Sequence, residues 1–408
     1  MPTQPAKGRL GVWVFGARGG LATTLILGTR GITRGLCAPD GLLTATDLFD
    51  GVSLARLDDL VFGGHEVRTG TLVEAAQEVQ ERTGTIPFPV LHALRRDLTR
   101  IDRDIARGTL VNAGRTIEDV VGRVPGPRHL RAEVERIEHD IASFVQRHRL
   151  RGCVCVNLTS TEPRLPASRA HRQTSTLAAA IERNDTRAVR PSTLYAYVAA
   201  RLGLPFIHFT PANSALIPAV TELFAANRAP FMGMDGKTGE TLVKSSLAPM
   251  FRYRNLRVLS WQGYNMLGDR DGAVLASEEN RQSKVETKDA LLTRILGYPL
   301  HTHVGIDYVP SLHDLKTAWD FVHFQGFLGF RMSLQFTWQG CDAILAAPIV
   351  LDMVRLADLA HRRGEFGPMP HLACFFKKPY GVDEHDLHEQ WHALVDYVRA
   401  LRGGDRAI

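Results

Sequence analysis

The sequence predicts an α/β protein: a parallel, doubly wound sheet in a discontinuous domain, joined to a second, mixed α/β domain. Three observations predict it. An apolar strand pattern runs into a glycine turn and an apolar helix at residues 10–28. Strand and helix patterns alternate from 152 to 235. Strand-like segments then dominate from about 254 to 340, before helix, strand and helix patterns return.

Taken in order, Leu10-Gly11-Val12-Trp13-Val14-Phe15 reads as a short buried strand. Gly16-Ala17-Arg18-Gly19-Gly20-Leu21-Ala22 turns from it into a helix that ends near Gly28. Strand, glycine turn and helix open a dinucleotide-binding unit, because the turn brings N–H groups and a helix N-terminus up to a pyrophosphate. Arg18 stands where the G-x-G-x-x-G pattern has its second glycine, so a turn that only packs strand on helix competes with this reading. Residues 55–150 read as mostly helical and irregular, with a strand at 60–64 and helical periodicity over 130–147. A strand follows at 152–158, helices near 173–183 and 192–202, and strands at 205–209 and 230–235. Strands at 255–262, 300–309 and 327–338 build the second domain. A helix at 343–362, a strand at 370–376 and an amphipathic helix at 384–402 close the chain. The expected division is 1–230 with 343–408 for the first domain, and 231–342 for the second.

A chain of 408 residues and 45.2 kDa exceeds one ordinary core, and 44% hydrophobic with 23% charged residues is a globular composition. The net charge of +6 comes from scattered arginines without a run of like charge, which favours anionic small molecules over nucleic acid. Five cysteines make an odd count with no secretory signal, which points to reduced thiols in the cytoplasm. Cys153 and Cys155 alternate in GCVCVNL and read as two buried thiols on one strand face. His301 and His303 could offer two ligands, but no further cluster completes a tetrahedron, so no metal is expected. The apolar stretch 10–32 is broken by Arg18, Arg30 and six glycines, which defeats a signal peptide or membrane span.

Lysine usage is the sharpest chemical signal. The chain carries 49 Lys and Arg together, yet its lysines are only Lys7, Lys237, Lys244, Lys284, Lys288, Lys316, Lys377 and Lys378. A buried ammonium can surrender its proton and a guanidinium cannot, so retained lysines suit proton transfer. Lys284 and Lys288, at i and i+4 on an expected helix start, point the same way and suit an oxyanion and a phosphate. Gly236-Lys237-Thr238-Gly239-Glu240-Thr241 fails as a P-loop, since Phe231 occupies the required glycine position. It reads instead as a helix N-terminus fit for a sugar phosphate, with Thr238 and Thr241 as donors and Glu240 obliged to point away or pair with Lys244. Gly263–Gly272 (GYNMLGDRDG) reads as a polar loop after a strand.

The succession GMDGKTGETLVKS, GYNMLGDRDG, RQSKVETKD, DYVPSLHDLKTAW, CDAILAAPIVLD and FFKKP, with VNLTSTE and STLYAYVAARLGLPFIHFTPANS, resembles the inositol-3-phosphate synthase family from about residue 8 to 380. The resemblance implies a discontinuous NAD-binding Rossmann domain, a mixed α/β domain that builds the active site, and a homotetramer. It implies a redox-neutral cyclisation of a hexose 6-phosphate: oxidation of a hydroxyl by bound NAD, enolisation, intramolecular aldol closure and reduction. The catalytic residues it implies are Lys284, Lys288, Lys316, Lys377, Asp235 and Asp342. For the cofactor it implies Gly16, Ala17, Arg18, Gly19, Gly20, Leu21, Glu66, Thr159, Asp235, Asp271 and Asp342. For the substrate it implies Asn213, Thr238, Gly239, Thr241, Asn265, Leu267, Asp269 and Lys288. Asp269 and Gly263 depart from the family's usual Asn and Ser. With these departures a related reaction on fructose 6-phosphate, giving a five-membered ring, stands as the alternative to glucose 6-phosphate. A simple NAD-dependent dehydrogenase is a further reading.

Overall fold

The computed structural model of the chain describes residues 7–121, 129–268, 291–313 and 315–404. It divides into two compact units, Met1–Asp235 with Ala347–Met369, and Gly236–Ala346 with Pro370–Ile408.

In the first unit β1 (Leu10–Phe15), β2 (Leu60–Glu66), β3 (Ile105–Arg107), β4 (Gly152–Asn157), β5 (Phe206–His208) and β6 (Pro230–Gly233) form a parallel sheet in the order β6-β5-β4-β1-β2-β3. A two-residue strand, Gly367–Pro368, extends it beyond β6. This is the Rossmann order, with its reversal point between β1 and β4. Every residue of β1 is buried, as its unbroken apolar run requires of a strand covered on both faces. Cys153 and Cys155 are both buried on β4 and carry free thiols. The helix after β1 spans Gly20–Thr33 and runs past Gly28. Gly28 costs that helix only about 1 kcal/mol relative to alanine, too little to end it. Between β2 and β3 stand two helices, Leu72–Thr83 and Phe88–Asp102; the first is opened by a capping box of Thr71 and Glu74.

The second unit holds β7 (Arg257–Leu267), β8 (His301–Tyr308), β9 (Leu315–Gln325) and β10 (Arg331–Cys341) in the order β10-β9-β7-β8. β7 and β8 are parallel, and the other two pairs antiparallel. Its inner face packs Trp261 and Val322 against Ala248 and Phe251 of the helix Gly239–Tyr253, and against Leu292 and Ile295.

Four expectations for this unit are corrected. β9 was not anticipated, because Asp320 interrupts the apolar alternation of its inward residues Ala318, Val322 and Phe324. Gly263–Leu267 belongs to β7 rather than to a loop. Residues 327–329 form a short 3-10 turn, so β10 begins at Arg331. The apolar run 370–376 is a 3-10 helix, Pro370–Phe375, since a short buried run carries no periodicity to separate strand from helix. The C-terminal segment, expected with the first domain as part of 343–408, is divided. Pro370–Ile408 lies in the second unit, where Tyr253 donates to Asp386 Oδ2 at 2.6 Å and the helix Leu387–Gly404 buries Leu394 and Val398. Among the described residues no helix is long and apolar enough to cross a membrane.

Candidate active site

The first unit supplies a nucleotide cradle made largely of main chain. Gly16 turns the chain after β1 with φ of +85°, and a Cβ there would stand 3.0 Å from Leu158 O, so only glycine serves. The N–H groups of Gly20, Leu21 and Ala22 precede the first bond of the helix, Thr23 N–H to Gly19 O, and no acidic residue occupies that turn. They form an N-terminus suited to a pyrophosphate. Ala17 N–H is taken by His65 O at 3.1 Å, so that residue shapes the turn.

Arg18 fills the second glycine position without obstructing it. Its guanidinium is drawn to Asp102 at 2.9 Å, while its N–H donates to Glu66 Oε2 at 2.7 Å. Glu66 is buried at the end of β2 and also accepts the N–H groups of Val67 and Arg68 on Oε1. One lone pair of Oε2 is left over for a ribose hydroxyl, which fits an acid at this position of the fold.

At the end of β4, across the reversal point, Asn157 Oδ1 accepts the hydroxyl and N–H of Thr159 at 2.9 and 3.2 Å. Asn157 also bonds His208 Nδ1, and burial pushes His208 down to about 4, so it is neutral. Asp235 is buried with φ of +63°, its N–H donating to Thr210 O at 3.3 Å. Asn213 is exposed, and its amide holds both the N–H and the carbonyl of Leu165.

The second unit concentrates charge around the N-terminus of the helix Gly239–Tyr253. Lys316 Nζ lies 3.4 Å from Asp342 Oδ2, and Thr238 Oγ1 donates to Asp342 Oδ1 at 3.1 Å. Gly239, at φ +56°, admits both groups: a Cβ there would be 3.3 Å from Asp342 Oδ1, 3.6 Å from Lys316 Nζ and 3.7 Å from Trp338 Nε1. Thr241 is buried in the same first turn. An antiparallel bridge between Gly236 and Phe376 brings Lys377 beside the turn. Asn265 is buried on the inner face of β7, opposite Ala318 and two positions from Lys316 in β9. Its Oδ1 has no hydrogen-bond partner among the described residues. Leu267, opposite Lys316, completes this edge of the face.

Lys284, Lys288, Asp269 and Asp271 lie outside the described residues. Of the other site residues expected in this unit, the structure gathers Lys316, Asp342, Thr238, Gly239 and Thr241 around one turn. It also reveals pairings that sequence reasoning passed over. Lys237 is buried, its ammonium donating to Gln390 Oε1 at 2.6 Å. Burial lowers it to about 8, helped by Lys377 and opposed by Cys374 and Asp386. Asp320 is fully buried near Lys244 and Glu240. A single acid inside the apolar stretch TAWDFVHF was its available signal, and Gln390 had none. His301 and His303 both stand exposed on β8, and among the described residues no group of three His, Cys, Asp or Glu side chains is placed to hold a metal ion.

A Rossmann unit with an open helix N-terminus and a ribose-ready acid, in a chain whose second unit buries Lys237 and Lys244, points to a dinucleotide-dependent enzyme. Comparison with known proteins gives the family. The family model described as myo-inositol-1-phosphate synthase matches residues 10–399, and the chain belongs to that family of NAD-using isomerases. Inositol-3-phosphate synthase 1 of Bacteroides thetaiotaomicron is 33% identical, over 98% of this chain and 97% of the relative. In fold, the inositol-3-phosphate synthase of Caenorhabditis elegans superposes with a TM-score of 0.85 at 21% identity, covering 97% of this chain and 86% of the other. A myo-inositol-1-phosphate synthase-related protein from Thermotoga maritima gives 0.76 at 22% identity, covering 96% and 98%.

Proposed function

We propose that this enzyme converts glucose 6-phosphate to an inositol phosphate by a redox-neutral cyclisation. The observation that carries the reading is the convergence of Lys316, Asp342, Thr238 and Gly239 on one helix N-terminus, in the unit that holds seven of the chain's eight lysines. Family membership and the relative at 33% identity support the substrate. NAD, when bound, supplies a hydride acceptor for the first step and a donor for the last, and Gly16 to Leu21, Glu66 and Thr159 would hold it.

The chain's own residues do the remaining work. Amides at 239–241 and the hydroxyls of Thr238 and Thr241 receive the phosphate at the positive end of the helix. Lys316, next to Asp342, offers a fixed cation for the enolate oxygen and an exchangeable proton for the alkoxide formed on ring closure. Lys377 supplies a second ammonium for the carbonyl under attack. Lys284 and Lys288 are proposed for the hydroxyl being oxidised and for the phosphate, and Asn265 Oδ1 accepts a substrate hydroxyl.

The proposed working state is a cytoplasmic homotetramer. A sheet face left exposed among the described residues supports the assembly: Tyr264 and Trp319 stack with centroids 5.8 Å apart, and the β9–β10 hairpin tip holds Phe327 and Leu328 89% exposed.

Phosphorus NMR of the enzyme with NAD and, separately, glucose 6-phosphate and fructose 6-phosphate tests the reading. An inositol phosphate from glucose 6-phosphate confirms it. A product from fructose 6-phosphate alone replaces it with the five-membered ring, and stoichiometric NADH without a cyclic product replaces it with a dehydrogenase.

A further inference from the structure

Glu240 places a carboxylate in the turn proposed to receive a phosphate. The structure shows where that charge goes. Lys244 Nζ lies 2.5 Å from Glu240 Oε1 and 3.3 Å from Asp320 Oδ1, with all three side chains at most 2% exposed. Trp261 Nε1 donates to Asp320 Oδ1 at 2.7 Å. Gly263, opposite Asp320 in the β7–β9 register, roofs the cluster. A Cβ at 263 would stand 2.5 Å from Glu240 Oε1, 2.6 Å from Lys244 Nζ and 3.1 Å from Asp320 Oδ1. Any side chain there would therefore displace the cluster.

We propose that Glu240, Lys244 and Asp320 form a positioning triad, admitted by the absence of a side chain at Gly263, that withdraws the carboxylate of residue 240 from the phosphate position and ties the first helical turn to the sheet. The proposal rests on the phosphate site assigned above. It makes Gly263 and Glu240 a coupled pair, and it makes the carboxylate of residue 240 a group that must avoid the substrate. Helix Gly239–Tyr253 contributes Glu240 and Lys244, β7 contributes Trp261 and the space above Gly263, and β9 contributes Asp320. Among the described residues two carboxylates face the ammonium of Lys244, which leaves room for one proton. Burial, reinforced by Glu240 and opposed by Lys244, pushes Asp320 up to about 6, which makes its carboxyl the place for that proton in mild acid.

The test is a mutant cycle on the full chain, read as glucose 6-phosphate affinity by phosphorus NMR titration, with NAD affinity measured in parallel. Gly263→Ser expels the carboxylate towards the phosphate and is expected to weaken sugar phosphate binding roughly tenfold or more, the size of one like-charge contact, while NAD affinity holds. Glu240→Gln, equal in shape and with its main-chain amide unchanged, is expected to bind within about threefold of the parent, since the side chain of residue 240 does not touch the phosphate. The double variant is expected to regain most of the loss, because an expelled amide does not repel phosphate. If Gly263→Ser binds like the parent, if Glu240→Gln alone costs tenfold, or if the double variant is as weak as Gly263→Ser, the triad has no such role. Should the serine chain fail to fold, Gly263→Ala presents the same first atom and is read identically. Because binding rather than turnover is scored, a parent chain that binds the sugar phosphate but makes no inositol phosphate would overturn the function and leave the triad standing.

Discussion

The two units prepare for charge in opposite ways. In the first, the groups offered to a ligand are main-chain amides, and the side chains around them serve to hold that main chain: Glu66 accepts three N–H groups, and Arg18 is parked on Asp102. In the second, charged side chains join the amides of one helical turn, and glycine makes room for side chains, at Gly239 for Lys316 and Asp342 and at Gly263 for the triad. A cradle of amides fails gradually when it is distorted, because each amide carries a partial charge. A cluster of ammonium and carboxylate groups fails abruptly when an ammonium is removed, since the buried carboxylates that it paired are stranded. Substitutions in the two units should therefore differ in kind.

The largest effect is expected at Lys316. Lys316→Ala should lower kcat by roughly 10²–10⁴-fold while NAD still binds, because one group serves both proton transfer and oxyanion stabilisation. Lys316→Arg should fail nearly as badly, since the guanidinium keeps the charge and not the proton. Turnover followed by phosphorus NMR, with NAD binding followed by fluorescence, separates the two functions; near-normal turnover in the arginine variant would break the comparison. In the first unit Gly16→Ala should act more mildly. Forcing an alanine to φ +85° against Leu158 O costs about 1–3 kcal/mol, or roughly 5- to 150-fold in NAD affinity, and kcat at saturating NAD should be nearly unchanged.

The same asymmetry decides what could be read from the sequence. The Rossmann half was legible because its signals are local: LGVWVF followed by glycines states a strand and a turn within a dozen residues. Buried strands there are apolar on both faces, and their runs stand out. The second unit was legible mainly through its lysines and its resemblance to a family, and less through pattern. β9 hides because Asp320 sits where alternation demands an apolar residue, and that acid is intelligible only once Lys244, 76 positions earlier in the numbering, is brought against it. Gln390 is a partner of Lys237 across the chain, and no spacing announces such a pair. Glu240 was readable, however: a carboxylate in a phosphate turn must point away or pair with Lys244, and the ion pair, at i and i+4, is there.

Lys237 sharpens the contrast through pH. Burial holds its folded value near 8 against an ordinary 10.5, so the unfolded chain binds the proton more tightly. Stability from this residue is therefore lost as pH falls through about 8 and fully present above about 10.5. Relative to Lys237→Met, the parent should gain stability between those limits, on the order of 3 kcal/mol at most. Urea midpoints for both chains at pH 7.5 and 9.5 measure it. A difference that does not change with pH would mean that the ammonium is solvated and the buried position of Lys237 is wrong.

The smallest effect belongs to Asn213, and it tests the first unit's rule that side chains hold main chain. The family resemblance implies a substrate contact for this residue. In the structure its Oδ1 accepts Leu165 N–H at 2.9 Å and its Nδ2 donates to Leu165 O at 3.2 Å, so the amide is spent on the loop after β4. Asn213→Ala removes both bonds at an exposed position, where water can replace them, and should cost about 1 kcal/mol of stability. For a chain of 408 residues that is a fall of roughly 1 °C in Tm. If the residue holds the loop, Tm falls and the KM for glucose 6-phosphate stays within about twofold of the parent, well under 1 kcal/mol. If it holds the substrate, KM rises and Tm does not move, and one side chain of the first unit would then have to be counted with those of the second.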